Sequence, residues 1–64
     1  MVKAFEYCEY VGVSTVSTEE AIKNAFDTAK EKCAISWFEI VSFRGRPTPE
    51  GHLEYQVTVK FGCK

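Results

Sequence analysis

The sequence lacks the features that mark several large classes of protein. No apolar run approaches the ~18 residues of a membrane-spanning helix, and the first ten residues carry charges where a secretory signal would be apolar. Eight basic and nine acidic residues leave a net charge of −1, whereas nucleic-acid-binding domains are usually strongly basic. We therefore expect a cytoplasmic protein with neither a membrane nor a nucleic acid as its partner.

Cysteine and histidine are too scarce and too scattered to indicate a cross-linked or metal-bound fold. Cys8, Cys33 and Cys63 are odd in number and widely spaced, which is not the pattern of a disulfide framework. Together with His52 they would make a four-ligand set, but structural zinc sites pair ligands two to four residues apart. The sequence thus predicts reduced thiols and no metal site, with Cys8 and Cys33 as small core residues and Cys63 as a plain terminal residue.

Catalytic constellations are also missing. The single histidine, His52, stands beside a predicted loop, and no cysteine–histidine or serine–histidine arrangement is suggested by the spacing. The four glycines form no phosphate-cradling motif. We therefore expect a binding protein and not an enzyme.

The chain is short for an independent domain. Its 64 residues predict one domain, residues 1–64, and a chain of that size buries only about 60% of the surface it exposes when unfolded. Small domains usually compensate with disulfides, a metal or oligomerisation. Because the spacing of the cysteines disfavours both disulfides and a metal site, the sequence predicts an oligomer.

Hydrophobic periodicity predicts a strand, a helix and two further strands. Residues 4–11 and 35–45 are rich in aromatic and β-branched residues, and residues 53–61 alternate strictly. A capping box at Ser17–Glu20, in which Glu20 reaches back to the Ser17 amide, predicts a helix from Thr18. Its apolar stripe comprises Ile22, Ala25, Phe26, Ala29 and Cys33. The fold class is α+β, a β-α-β-β subunit whose three-stranded antiparallel-type sheet wraps one helix, with the third strand in the middle.

A helix can cover only one face of this sheet. Strict alternation places Phe38 and Ile40 of the second strand toward the helix. The opposite face then carries Trp37, Glu39, Val41 and Phe43 across from Gln56, Thr58 and Lys60. An apolar patch of this kind usually marks a partner or ligand surface. Two interpretations stay open: Trp37 fills a subunit interface, or it stacks on a planar heteroaromatic ligand whose polar edge meets the Gln56 amide.

The chain resembles the dodecins over nearly its whole length. The resemblance is carried by Trp37–Val41, by Arg44-Gly45, and by Tyr55–Lys60 with Gly62. It implies a β-α-β-β subunit that assembles into a hollow dodecamer, with flavins bound between subunits. Trp37 matches the tryptophan that stacks on the isoalloxazine ring. Gln56 matches the glutamine that hydrogen-bonds the polar edge of that ring.

The resemblance also implies a role, the storage or buffering of riboflavin or FMN. The basic residues that could meet a ribityl phosphate are Lys3, Arg44, Arg46 and Lys60, and of these Arg44 and Arg46 complete the predicted cofactor-binding set. Two alternatives remain at this point. The chain could be a structural or adaptor oligomer of the same fold without flavin, or a carrier for coenzyme A.

Overall fold

The computed structural model describes residues 6–64. It confirms the predicted element order, with strand β1 at Tyr7–Ser14, helix α1 at Thr18–Ala29, strand β2 at Ile35–Pro47 and strand β3 at Leu53–Cys63. The first strand was predicted from residue 4, and residues 4–5 lie outside the described residues. Each strand runs two or three residues beyond its predicted end. No helix in the described part of the chain is long and apolar enough to cross a membrane.

The sheet has the order β1-β3-β2, and both neighbours pair with β3 in antiparallel register. The middle position of the third strand is therefore confirmed. The odd-numbered residues of β3 face the helix, and Val57, Val59 and Phe61 are almost completely buried there. They pack against three small residues spaced four apart on α1, namely Ala21, Ala25 and Ala29.

Helix α1 begins where the capping residues predict. The Glu20 backbone N–H donates to Ser17 Oγ over 3.0 Å, which satisfies one of the donors that a helix start leaves unpaired. The Glu20 carboxylate was expected to reach back to the Ser17 amide, but it accepts instead from the hydroxyl of buried Ser14, 2.9 Å away. The helix ends at Ala29, one turn before the predicted apolar position at Cys33.

The helix lies unusually close to β1. Gly12 is buried and faces α1, and a Cβ atom added there would overlap the carbonyl oxygen of Ala21 and lie 3.1 Å from the Ala25 methyl group. The small side chains of the helix stripe and the bare glycine allow this approach. The core is therefore thin and built on backbone-to-backbone proximity.

Two irregularities in β2 correct the predicted faces. Register shifts occur between Ile35 and Trp37 and between Ile40 and Ser42, so Val41 is an extra residue opposite β3. Beyond this bulge the alternation is inverted. Phe43 was predicted to face away from the helix, but it pairs with Val57 and its ring stacks on Tyr55 at 6.4 Å between centroids, on the helix side of the sheet.

The helix covers β1 and β3 but does not reach β2. Phe38 and Ile40 were predicted to lie under the helix, yet they are 55% and 42% exposed. Only the first residue of β2, Ile35, is even half-buried. The chain extends over 54 × 19 × 13 Å with a radius of gyration of 13.6 Å, against about 11 Å for a compact chain of this length. Apolar surface is therefore bare on both faces of β2, which strengthens the prediction of an oligomer.

The cysteines correct the expectation of reduced, unlinked thiols. Cys33 and Cys63 form a disulfide that joins the turn after the helix to the end of β3. Cys63 is 8% exposed and is thus part of the core, not a plain terminal residue. Cys8 is half-buried with a free thiol. Spacing along the sequence could not predict this pairing, because the two partners are 30 residues apart.

Candidate functional site

The side of the sheet turned away from the helix is the candidate site, and we call it the outer face. The register places every even-numbered residue of β3 on it. The flanking strands contribute an aromatic end and a polar end. The outer-face residues used below are Tyr7, Trp37, Arg44, Arg46, Glu54, Gln56, Lys60 and Gly62.

The aromatic end is built around Gly62. Tyr7 of β1 and Trp37 of β2 both pair with this glycine, one from each side. The indole lies across Gly62 so closely that a Cβ atom there would overlap its ring. Trp37 remains 42% exposed, and the Lys60 ammonium lies 4.6 Å from the centroid of the Tyr7 ring. A wide aromatic surface is thus held flat against the sheet and open to a planar partner.

The polar end is a hydrogen-bonded group centred on Glu54. Its Oε1 atom accepts from Arg46 Nε at 2.8 Å and from Gln56 Nε2 at 3.0 Å. Arg44 pairs with Gln56 across the strands. The bond to Glu54 fixes the orientation of the Gln56 amide, and it leaves the carbonyl oxygen and the second N–H of that amide for a ligand. Glu54 is therefore a positioning residue for Gln56.

The same contacts act on the carboxyl of Glu54. The hydrogen bond from Gln56, followed by that from Arg46, lowers the pKa of Glu54 below its ordinary value. Because the pKa is depressed in the folded state, the contribution of this group to stability is present above the ordinary pKa of a glutamate, about 4.3. It is lost as the pH falls through the lower folded value. The orientation of Gln56 is accordingly insensitive to pH around neutrality.

The structure places all four predicted site residues on the outer face but does not bring them together in one chain. Gln56, Arg44 and Arg46 share the polar end, whereas Trp37 lies opposite Gly62. Six residues of β3 separate Gly62 from Gln56, which is about 20 Å at 3.4 Å per residue. One chain therefore cannot present both the indole and the amide to the same small ligand.

Sequence reasoning missed three contributors to this face. Tyr7 was assigned only to a strand, Gly62 only to the family pattern, and Glu54 only to the alternating third strand. Strict alternation in β3 does place Glu54, Gln56 and Gly62 together, so the signal for two of them was available. The partnership of Tyr7 with Gly62 depends on the register between β1 and β3, which no local pattern reveals.

Comparisons with known proteins agree with this architecture. A family model described as Dodecin matches residues 5–64. The structure is similar to a Thermus thermophilus protein with a TM-score of 0.83 and 33% identity, over 97% of this chain and 93% of that one. A variant of the T. thermophilus dodecin gives the same values. A dodecin from Streptomyces davaonensis gives a TM-score of 0.81 and 30% identity, over 94% of this chain and 90% of that one.

A more distant match is informative about the fold alone. The calcium dodecin of Mycobacterium tuberculosis, described as having a calcium-binding site, has a TM-score of 0.84 at 17% identity, over 97% of this chain and 90% of that one. A search of curated protein sequences gives no significant match.

Proposed function

The chain belongs to the dodecin family, and we propose that it binds riboflavin or FMN between the subunits of a homododecamer, as a store or buffer of flavin. The observation that carries the proposal is the outer face. It holds an open indole at one end and an oriented amide at the other, and the two are too far apart to serve one ligand within a single chain. A second subunit would supply the missing half of each pocket.

The chemistry of the two ends suits an isoalloxazine ring. The exposed indole of Trp37 offers a stacking surface, and aromatic stacking contributes about 0.5–1.5 kcal/mol beyond the area that is buried. The Gln56 amide offers a donor and an acceptor, which match a ring edge carrying carbonyl and N–H groups. Arg44 has no ion pair among residues 6–64 and is the better placed of the two arginines for the phosphate of FMN.

The exposed apolar surface of β2 supports the proposal that the chain assembles into an oligomer. The large apolar side chains between residues 37 and 43 of this strand are 42–58% exposed in the single chain, with Phe38 at 55% and Val41 at 50%. Patches of this extent are rare on monomers and usually mark interfaces. Binding by stacking and hydrogen bonds needs no covalent step, so the proposed function is sequestration and not catalysis.

The test is a fluorescence titration of riboflavin, FMN and coenzyme A combined with light scattering. We expect twelve subunits by mass and a loss of flavin fluorescence on mixing, since the stacked indole quenches the bound ring. A twelve-subunit particle that takes up no flavin would favour the structural or adaptor alternative. A particle that binds coenzyme A alone would favour the carrier, and a monomer would overturn the assembly.

Gly62 gives a narrower prediction about the aromatic end. In Gly62→Ala the new methyl group occupies the space of the Trp37 indole, which must swing away from the sheet. We expect flavin affinity to fall about 2- to 10-fold, as for the loss of one modest stacking contact, with little change in melting temperature because the exposed ring is free to move. Flavin titration and thermal melting of both proteins measure this. Gly51→Ala, at the hairpin turn far from Trp37, is the control, and it should leave flavin affinity unchanged whatever it does to stability.

A further inference from the structure

The fold gathers the only three cysteines of the chain at one end of the molecule. The Sγ atoms of Cys8, Cys33 and Cys63 all lie within 4.8 Å of one another. His52, the fourth member of the set weighed from the sequence, lies beyond the opposite end of β3, about 37 Å from Cys63 at 3.4 Å per residue. The sulfur cluster therefore stands apart from the histidine, and also from the outer face.

Three elements produce this convergence. Cys8 lies on the helix side of β1, where it pairs with Phe61. Cys63 follows on the same side of β3, two residues further along. Cys33 comes from the turn after α1, held there by a hydrogen bond from its backbone N–H to the Ala29 carbonyl at 3.2 Å. The proximity of the three thiols is thus built by the topology and does not depend on the disulfide alone.

A surface cavity opens onto the cluster. Its volume is about 370 Å³, and it is lined by Glu6, Tyr7, Lys32 and the three cysteines. The cavity gives a small ion access to the sulfurs. Because the three cysteines supply only sulfur donors, the site suits a soft metal ion.

We propose that Cys8, Cys33 and Cys63 form a three-thiolate site for univalent copper once the disulfide is reduced. A small-molecule thiol supplies the reduction: two molecules of it give two electrons and two protons to the Cys33–Cys63 bond and leave as their own disulfide. The chain then carries three thiols. Binding of one Cu(I) ion forms three Cu–S bonds and releases three protons to solvent.

The geometry favours a three-coordinate ion over zinc. A metal–sulfur distance of about 2.3 Å places three sulfurs around one ion about 4.0 Å apart in a trigonal plane. The Sγ atoms of Cys33 and Cys63, which are bonded to each other here, must move apart to that spacing once the disulfide is reduced, whereas their separations from Cys8 Sγ, within 4.8 Å, are already close to it. Zinc sites are almost always four-coordinate, and among the residues that line the cavity the one carboxylate belongs to the exposed Glu6.

The experiment is an anaerobic competition for Cu(I) between the whole protein and a Cu(I) chelator, after reduction with a phosphine and its removal. We expect one Cu(I) per chain by elemental analysis, and three sulfur neighbours by X-ray absorption. Oxidised protein, with a single free thiol, should bind far more weakly. A change to a residue that contacts a metal ligand typically lowers metal affinity about 10- to 100-fold. Cys8→Ser removes a ligand itself and should lower Cu(I) affinity by at least as much.

Two comparisons make the result decisive. Glu6→Gln alters the same cavity without removing sulfur and should keep the parent affinity for Cu(I). If Cys8→Ser binds Cu(I) as tightly as the parent, or if absorption shows fewer than three sulfurs in the parent, the site is wrong. The absorption measurement uses the unaltered chain, so it decides the matter even where a cysteine variant fails to fold. Its outcome is independent of flavin binding, because the cluster lies off the outer face.

Discussion

Replacing Trp37 by alanine is expected to weaken flavin binding by about 5- to 150-fold. The estimate takes about 1–3 kcal/mol for the loss of one aromatic stacking platform, with 1.36 kcal/mol for each tenfold change. Trp37 is exposed and packs mainly across Gly62, so its removal should leave the fold intact. Fluorescence titration with riboflavin measures the affinity, and the residual quenching at saturation reports whether any bound ring still meets an aromatic partner.

Two variants serve as comparisons for this change. Trp37→Phe keeps an aromatic ring and should retain part of the affinity. Phe43→Leu removes a ring that is even more exposed, but from the helix side of the sheet, and should bind flavin as the parent does. Unchanged flavin affinity in Trp37→Ala, with the assembly intact by light scattering, would show that the stacking site has been misplaced.

Replacing Gly12 by alanine is expected to have the largest effect on stability. The added methyl group meets the backbone of the helix at Ala21 and not the end of a flexible side chain, so α1 must shift as a whole. We expect the free energy of unfolding to fall by about 3 kcal/mol, the upper part of the usual range for overpacking. For a domain of this size that corresponds to a melting temperature lower by about 12–24 °C.

Thermal melting of both proteins at one concentration checks this prediction, because the stability of an oligomer depends on concentration. Thr15→Ala is the control, since this exposed residue three positions away lies in the bend before the helix and should change stability by less than about 0.5 kcal/mol. A melting temperature for Gly12→Ala within a few degrees of the parent would mean that helix and strand are less closely packed than described.

Local patterns predicted the elements well. Ser17 set the start of the helix because the capping hydrogen bond is a short-range interaction, and the alternation in β3 identified its buried face because side chains on a strand have a period of two. The same alternation placed Trp37 and Gln56 on a common face. These inferences depend only on residues that are close in sequence.

What the sequence did not predict depends on contacts between distant residues. The disulfide joins Cys33 to Cys63 across 30 positions, and the tight contact of Gly12 with Ala21 depends on how the helix settles on the sheet. The exposure of Phe38 was missed because the lateral reach of α1 is a property of the assembled layers. In each case the contact joins residues that are far apart in the sequence, so no periodic pattern in the sequence reveals it.

The bulge at Val41 shifts the alternation of β2 by one residue, and this exchanges the two faces of the sheet for every residue that follows. Between the two register shifts the odd-numbered residues of β2, such as Trp37, point outward, and after the bulge the even-numbered ones do. If Val41 were paired regularly with Thr58 instead, Phe43 would lie opposite Gln56, and Arg44 and Arg46 would point to the helix side. The bulged conformation of Val41 thus gives the outer side of β2 an aromatic half and a cationic half, where regular pairing of the same sequence would make it largely apolar.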